Sequence, residues 1–359
     1  MIHFHPLKIK EVRRETDECV SLLFDIPKEF EQQFAFRQGQ SLTMRTRLNG
    51  EEIRRTYSIC SSPLDNEWRV AVKKVEGGLF SSHANEQLKA GDVLEVLPPV
   101  GKFYTDLNPS HQKNYLAIAA GSGITPVLSI IKTTLITEPN SSFTLIYGNR
   151  NRASIIFKEE LDALKNKFIN RFTVHHILSR EVTDVPIYHG RIDQTKCGLL
   201  FDKLIDISSI NDFFVCGPEE MIFSVKNFLE EKGIDKKYIH FELFTTPGQK
   251  TYSPAPKAKQ SEDKGPKSKI RVKLDGVLFN FDLSEAGDTI LDAALKEGAD
   301  LPFACKGGVC CTCRAKLVSG EVKMDVNYGL EEDELEAGFI LTCQSHPKSA
   351  EVFVDFDDR

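Results

Sequence analysis

Residues 305–313 read CKGGVCCTC, four cysteines within nine residues, and a fifth, Cys343, stands thirty residues further on. Taking Cys305, Cys310 and Cys313 as ligands gives C-x4-C-x2-C with Cys343 as the distant fourth, the plant-type spacing for a [2Fe–2S] cluster. Using Cys311 in place of Cys310 gives C-x5-C-x1-C, a spacing with no such precedent. Gly307 and Gly308 can adopt backbone angles closed to other residues, which would let the chain wrap an inorganic core with N–H groups near the sulfides. Zinc is the rival, because four thiolates also make a structural site, although zinc ligands usually come as two short Cys pairs. Cys311 is then a non-ligand thiol, a small packed side chain.

At 359 residues the chain is expected to hold two or three domains, and a hydrophobic content of 41% supports real cores. No run of 18 apolar residues occurs, and MIHFHPLKIKEV at the start lacks the order of a secretory signal. The expectation is a cytoplasmic protein. Nine cysteines in a reducing compartment point to metal ligation or thiol chemistry instead of disulfides. Cys19, Cys60 and Cys197 are scattered and read as packing. Lys269 to Arg359 holds 10 Lys and Arg against 18 Asp and Glu, a balance of −8 within a total of −6. An acidic terminal module beside a near-neutral body suits either an electrostatic docking face or simple solubility. Nothing in this balance favours nucleic acid.

Thr245 to Ser268, TTPGQKTYSPAPKAKQSEDKGPKS, is rich in Pro, Lys and Ser and reads as a linker over 245–268. Ahead of it lie two modules. Over 1–108, short alternating or β-branched runs (LKIKEVRR, CVSLLFDI, QSLTMRT, RRTYSI, WRVAVKKV, DVLEVLPP) predict an antiparallel barrel or sandwich. Over 109–244 the pattern becomes strand, helix, strand, helix, as in NYLAIAA then TPVLSIIKTTLI. That predicts a doubly wound parallel sheet with its ligand at the carboxyl ends of the strands. After the linker, 269–359 opens with a hairpin about Asp275-Gly276. A short helix follows, with Asp288 as N-cap and Gly298 as its stop.

Arg55-Thr56-Tyr57-Ser58 ends a strand and alternates a cationic fork, an aromatic face and hydroxyls. Arg can grip a pyrophosphate, Tyr can stack on a flat ring and Ser can bond a ring nitrogen. Lys73-Lys74-Val75-Glu76-Gly77-Gly78-Leu79-Phe80-Ser81 opens a helix, whose free N–H groups suit a phosphate; an ordinary glycine turn is the alternative. In AAGSGITPV, Gly121 and Gly123 follow a strand, and Thr125 and Pro126 start a helix as cap and first-turn residue. The third glycine of the dinucleotide fingerprint is missing, with Pro126 near its place. Cys216-Gly217-Pro218 sits at a further strand-to-helix junction.

Together these residues resemble ferredoxin–NADP reductase-like flavoproteins fused to a C-terminal plant-type ferredoxin. The resemblance covers nearly the whole chain outside the linker. It implies a multidomain fold: an antiparallel β-barrel FAD domain, an α/β NADP domain and an α+β, β-grasp-like ferredoxin domain. It makes Arg55, Thr56, Tyr57 and Ser58 the FAD motif, with Ser58 at the reacting flavin nitrogen. Lys73 and the loop Gly77, Gly78, Leu79, Phe80 and Ser81 belong to the flavin phosphate side. Gly121, Gly123, Thr125 and Pro126, with Cys216, Gly217 and Pro218, become nicotinamide-nucleotide motifs. Ser179-Arg180-Glu181, Gly190-Arg191-Ile192 and Arg150 look like the elements that hold the 2′-phosphate of NADPH, though three arginines could also be surface charge. Glu242-Leu243-Phe244 resembles the family's terminal E-x-Y, and Ser58, Cys216 and Glu242 are the catalytic candidates.

The strongest likeness, in GGVCCTCRAKLVSGEV and GFILTCQSHP, is to reductase components of oxygenases such as phenylacetyl-CoA epoxidase. The implied activity is transfer of electrons from NADPH through FAD to the [2Fe–2S] cluster, near about −400 mV. From there single electrons would reach a terminal oxygenase with diiron epoxidase or hydroxylase subunits. Two alternatives stay open: a different acceptor, such as a hybrid-cluster protein or desaturase, and a redox-sensing protein. A complete flavin and nucleotide pathway speaks against pure sensing.

Overall fold

A computed structural model describes residues 3–244 and 267–358. The first module is an antiparallel sheet of β1 (His5–Thr16), β2 (Cys19–Asp25), β3 (Ser41–Leu48), β4 (Glu51–Ser58), β5 (Trp68–Lys73) and β6 (Val93–Val96), in the order β4-β3-β6-β1-β2-β5. A bridge from Ile59 to Val70 joins the two ends of that order and closes the sheet on itself. Closure removes the open edges that an antiparallel sheet otherwise exposes. The interior is filled by Leu7, Ile9, Leu22, Phe24, Phe34, Leu42, Met44 and Val72. One helix, α1 (Leu79–Glu86), follows β5.

The second module alternates β7 (Asn114–Ala120), α2 (Ile124–Thr137), β8 (Ser142–Asn149), α3 (Lys158–Lys167), β9 (Phe172–Leu178), α4 (Gln194–Lys203), β10 (Asp212–Cys216), α5 (Glu219–Glu231) and β11 (Ile239–Glu242). Its sheet is parallel in every pairing, in the order β11-β10-β7-β8-β9. All five residues of β10, DFFVC, are buried, which is why that run shows no alternation. His5–Ile53 and Tyr57–Leu243, most of modules one and two, form one compact unit. The Ser129 hydroxyl on α2 donates to Ser61 O at 2.6 Å, and Thr133 and Ser62 hydroxyls meet at 2.9 Å. Glu138, fully buried after α2, accepts from Asn108 N–H, His111 Nδ1, Tyr115 OH and Ser141 Oγ. Burial alone would raise its carboxyl, but these donors outweigh it and hold the group below the usual carboxylate range.

The C-terminal module is a mixed sheet. Its strands are β12 (Lys267–Leu274), β13 (Val277–Ser284), β14 (Arg314–Ser319), β16 (Phe339–Leu341) and β18 (Glu351–Asp355), in the order β13-β12-β18-β14-β16. A separate ladder pairs β15 (Val322–Met324) with β17 (Ser345–Pro347). Helices α6 (Ile290–Lys296) and α7 (Glu332–Glu336) complete it. In β12 burial alternates residue by residue over Lys267–Val272, the mark of a strand with one face in a core. The hairpin turn is where the sequence puts it: Asp275 and Gly276 both take positive φ, 51° and 76°, as a two-residue type I′ turn needs.

Three expectations change. Of the linker stretch, 245–266 lies outside the described residues, whereas Lys267 and Ser268 already belong to β12, because Ser268 turns inward in the alternating pattern. Thr125 is not the cap of α2. Gly121–Gly123 forms a 3-10 turn that runs straight into the helix, Gly123 takes the cap position, and the Thr125 hydroxyl donates back to Ser122 O at 3.0 Å. In α6 the cap is Thr289, whose hydroxyl accepts the Asp292 N–H at 3.2 Å, while Asp288 pairs with Lys296.

Candidate redox site

At the end of β4, Arg55 is exposed, Thr56 and Tyr57 are half-buried, and Ser58 is buried. The Tyr57 ring lies 5.6 Å from Phe80 of α1, tilted by 32°. The loop into α1 is shaped by its glycines. Gly77 has φ of 72°, and a Cβ on Gly78 would stand 2.4 Å from Ser81 Oγ and 3.1 Å from Val75 O. Ser81 closes that loop upon itself, accepting the Val75 N–H at 3.1 Å and donating to Gly78 O at 3.3 Å. The first-turn N–H groups of α1 therefore face outward without helical acceptors, next to a backbone that a ligand can approach closely. That is a fit for a phosphate-bearing flavin.

Across the unit, Ser58 Oγ donates to Glu242 Oε2 at 2.9 Å. Glu242 ends β11 and is the register partner of Cys216 at the end of β10. The three catalytic candidates thus meet, although 184 residues separate Ser58 from Glu242. Burial raises the Glu242 carboxyl to about 7, against the lowering influence of the Ser58 hydrogen bond. Burial, and then the Glu242 charge, push the Cys216 thiol well above its ordinary value. Cys216 is accordingly a neutral thiol and no nucleophile. Of Leu243 and Phe244, the first is buried and the second 41% exposed.

The β7 and β10 loops are locked together. A Cβ on Gly123 would lie 2.1 Å from Cys216 O and 2.7 Å from Gly217 N, and one on Gly217 would lie 3.1 Å from Ala120 N. Gly121, at φ of 55°, gives its carbonyl to Tyr147 OH at 2.9 Å, and a Cβ there would come within 3.8 Å of Lys73 Nζ. Burial and the nearby Arg150 lower the Lys73 amine, partly offset by Glu18, which pairs with Arg150 at 3.6 Å. Two cations beside a glycine loop at strand ends suit the phosphates of a dinucleotide.

The other arginines collect along the same edge. Arg180 N–H donates to Arg150 O at 2.8 Å and Ser179 N–H to Asn149 O at 2.9 Å, carrying the β8–β9 pairing past the strand ends. Gly190 N–H donates to Leu178 O at 2.9 Å, which brings Arg191 in beside them. Arg180 and Arg191 are exposed and form no ion pair among the described residues.

In the cysteine loop, Cys310 Sγ lies 3.2 Å from Cys305 Sγ. Cys343 interacts with both Cys305 and Cys313, so the four sulfurs share one locale. Hydrogen bonds from Cys310 and Cys343 hold the Cys305 thiol far below its ordinary value, while Cys310 and Cys343 are raised by facing Cys305. Four thiols brought this close are the donor set that a cluster would hold as thiolates. Gly307 N–H reaches Cys305 Sγ at 3.3 Å, and Gln344 Nε2 reaches Cys343 Sγ at 3.5 Å and Lys306 O at 3.0 Å. Gly308, at φ of 72°, faces Val326, where a Cβ would be 2.9 Å from Cγ2. Cys311 turns away, its Sγ 2.6 Å from Gly329 O. Among the described residues no group of three or more His, Cys, Asp or Glu meets the geometry of a single-ion site. The fit to a two-iron cluster rests on which thiols meet and on the N–H groups around them.

Sequence reasoning passed over Gln344, which spans two turns of the cysteine loop, and Tyr147, which anchors Gly121. Adjacency to Cys343 was the available signal for the first. Tyr147 reads only as a core aromatic, and it is fully buried.

Family models match this arrangement module by module: an oxidoreductase FAD-binding domain over residues 6–104, an oxidoreductase NAD-binding domain over 117–227, and a 2Fe-2S iron-sulfur cluster binding domain over 272–348. One subunit of the 1,2-phenylacetyl-CoA epoxidase of Escherichia coli (strain K12) is 45% identical over 359 residues, covering 100% of this chain and 99% of that one. The chain belongs to this family of FAD-, NAD- and [2Fe–2S]-binding reductases. It is an oxidoreductase. The ferredoxin reductase component of 3-ketosteroid-9-alpha-monooxygenase from Rhodococcus rhodochrous is 33% identical, covering 98% of this chain and 96% of its own length. Among solved structures, phthalate dioxygenase reductase, described as a modular structure for electron transfer from pyridine nucleotides to [2Fe–2S], superposes with a TM-score of 0.58 at 25% identity, covering 98% of both chains. Among the described residues of this reductase no helix is long and apolar enough to cross a membrane.

Two outcomes are expected. Cys311→Ser keeps the visible spectrum and electron paramagnetic signal of the cluster, whereas Ser at Cys305, Cys310, Cys313 or Cys343 abolishes or strongly alters them, with flavin reduction surviving in all five. Loss in Cys311→Ser with retention in Cys310→Ser would overturn this register. Secondly, because the Glu242 carboxyl is raised to about 7, the rate of flavin reduction should show an inflection near that pH. Glu242→Gln should remove it. Glu242→Gln should also gain stability relative to the wild type as pH rises: a raised acid favours the fold fully below its unfolded value near about 4.3 and loses that contribution up to its folded one. An unchanged pH–rate profile in the variant refutes the assignment.

Proposed function

We propose that this chain is the NADPH-oxidising reductase component of a phenylacetyl-CoA epoxidase, delivering single electrons to the diiron centre of a terminal oxygenase. The observation that carries this reading is the likeness to the Escherichia coli epoxidase protein along the entire chain, at 45% identity. The domain limits that go with it are 1–108 for FAD, 109–244 for the nucleotide and, with Lys267 and Ser268 moved into β12, 267–359 for the cluster, with 245–266 as the joining segment. Nine cysteines, four of them assigned to a cluster, suit the reducing cytoplasm that this reading implies.

A bound flavin would supply the exchange between the two-electron chemistry of a nicotinamide and the one-electron chemistry of a cluster. The chain's own residues hold and orient. Arg55 supplies the fork for the flavin pyrophosphate, Tyr57 and Phe80 the aromatic wall, and the N-terminus of α1, through Gly78, Leu79 and Phe80, the phosphate N–H groups. Ser58 is committed as a donor to Glu242 while that carboxylate is ionised. Once protonated, Glu242 can donate to Ser58 Oγ instead, which frees the hydroxyl hydrogen to point elsewhere. Burial raises the carboxyl to about 7, which brings this exchange toward neutral pH. Cys216, neutral and buried, contributes shape at the same point. Lys73, expected on the flavin phosphate side, stands beside Gly121 instead and with the Gly121–Gly123 turn takes the nucleotide phosphates, and Gly217 and Pro218 wall the site from β10.

Arg180 and Arg191, exposed and uncommitted, are assigned the 2′-phosphate, with Ser179 preceding Arg180 in the chain and Arg150 at the neighbouring strand end. Replacing both with Gln should weaken NADPH by about ten- to a hundredfold for each hydrogen bond removed, since a hydrogen bond to a charged group contributes roughly 1.5–3 kcal/mol. NADH should be nearly indifferent, and high salt should reproduce part of the loss. A wild type that already prefers NADH overturns the NADPH assignment.

The function itself is tested by reconstitution. Purified reductase, NADPH, oxygen and the catalytic epoxidase subunits should convert phenylacetyl-CoA to its epoxide with NADPH consumption coupled to product. Rapid reduction of cytochrome c without any epoxide would send the search to another acceptor.

A further inference from the structure

Lys196, at the third position of α4, is 9% exposed and has no part in the reading above. Its backbone N–H is taken by the Asp193 cap at 2.8 Å, and its side chain reaches back over the preceding loop. There Nζ donates to three carbonyls, His189 O at 2.7 Å, Ile187 O at 3.1 Å and Pro186 O at 3.5 Å. A lysine has three donors and no acceptor, so these carbonyls use its full capacity. Among the described residues no carboxylate pairs with it. Burying such a group against backbone alone is costly, and an apolar side chain would fill the space more cheaply.

The clasped segment leads straight to the arginines. His189 pairs with Leu178 as a one-residue extension of the sheet beyond β9, and Gly190 N–H completes that pairing at 2.9 Å. Gly190 has φ of 111°, and a Cβ there would come within 3.8 Å of Lys196 Cε. The Tyr188 ring lies parallel to His175, 5.9 Å away. Backbone, ring and clasp together hold the segment 186–190 against β9, and the next residue is Arg191. Pro186–Tyr188 form a 3-10 turn of their own, and the Lys196 amine ties that turn to α4.

We propose that Lys196 is a positioning residue for nucleotide selection: by clasping residues 186–189 it sets Arg191 beside Arg180, where the two together address a 2′-phosphate. This rests on the assignment of those arginines to NADPH. Without the clasp three carbonyls lose their donor, the segment leaves the strand edge, and Arg191 reaches the phosphate only from a scattered set of positions. The phosphates common to both nucleotides, held at Gly121 and Lys73, are untouched.

Calorimetric titration of the FAD- and cluster-loaded protein with 2′,5′-ADP and with 5′-ADP tests this. Lys196→Met should weaken 2′,5′-ADP by about tenfold or more and leave 5′-ADP unchanged, with amide exchange accelerated over residues 186–190. Lys196→Arg, which keeps donors, should restore most of the discrimination. Flavin absorbance and melting temperature report the fold, and if Lys196→Met does not accumulate, Lys196→Gln is read by the same criteria. Unaltered 2′,5′-ADP binding in Lys196→Met, beside its loss in Arg180→Gln/Arg191→Gln, overturns the clasp and leaves the arginine assignment standing. No preference for 2′,5′-ADP in the wild type overturns both. Equal weakening of the two ligands means general damage and also refutes the proposal.

Discussion

The α-carbon of Gly123 and the carbonyl of Cys216 stand so close that no side chain fits between them; a Cβ would sit 2.1 Å from the oxygen. Much of the larger unit follows from that approach. It welds the turn after β7 to the turn after β10, so that α2 begins within the glycine turn and its open N–H groups lie at the strand ends. It also fixes the end of β10, whose last residue is in register with Glu242. Glu242 in turn holds Ser58 from the barrel. A steric demand on one glycine is thereby tied to the hydroxyl assigned to the reacting ring.

Burial decides protonation differently in the two halves of the molecule. Around Ser58 it keeps groups neutral: the Cys216 thiol stays protonated and Glu242 is brought to the edge of ionisation. Lys73 is lowered by the same effect and by Arg150. In the cysteine loop, by contrast, hydrogen bonds among the sulfurs favour one thiolate at the expense of its neighbours. The first environment suits transfers accompanied by protons. In the second, a bound cluster would take all four sulfurs as thiolates.

The parallel sheet also sets out the division of labour within nucleotide recognition. Its central strands, β7 and β10, carry the glycine turns, where backbone must approach the ligand. Its outer side, past β8 and β9, carries Arg150, Arg180 and Arg191, where long side chains can reach. This is the arrangement expected at the carboxyl edge of a doubly wound sheet, where the strand ends open into a crevice. Lys196 belongs to the outer side, and it acts on the backbone that bears an arginine.

Much of this was legible in order along the chain. The cysteine spacing, the glycine turns after strands, the change from antiparallel to alternating grammar near residue 110 and the Asp275-Gly276 hairpin all depend on residues within a few positions of one another. Local geometry is what a linear pattern encodes, so the cluster and the three kinds of module could be read directly, while the flavin and the nucleotide followed from the motifs' resemblance to a known family. Helix caps were misplaced by one or two residues at Thr125 and Asp288, because neighbouring residues compete to cap a turn and packing decides between them. The tertiary structure alone decided that Ser58, Cys216 and Glu242 meet, that Cys216 is neutral, that Cys311 faces Gly329 and that Lys196 spends its donors on a loop. Each of these depends on burial or on contact between residues brought together by the fold, and neither quantity exists until the chain is packed.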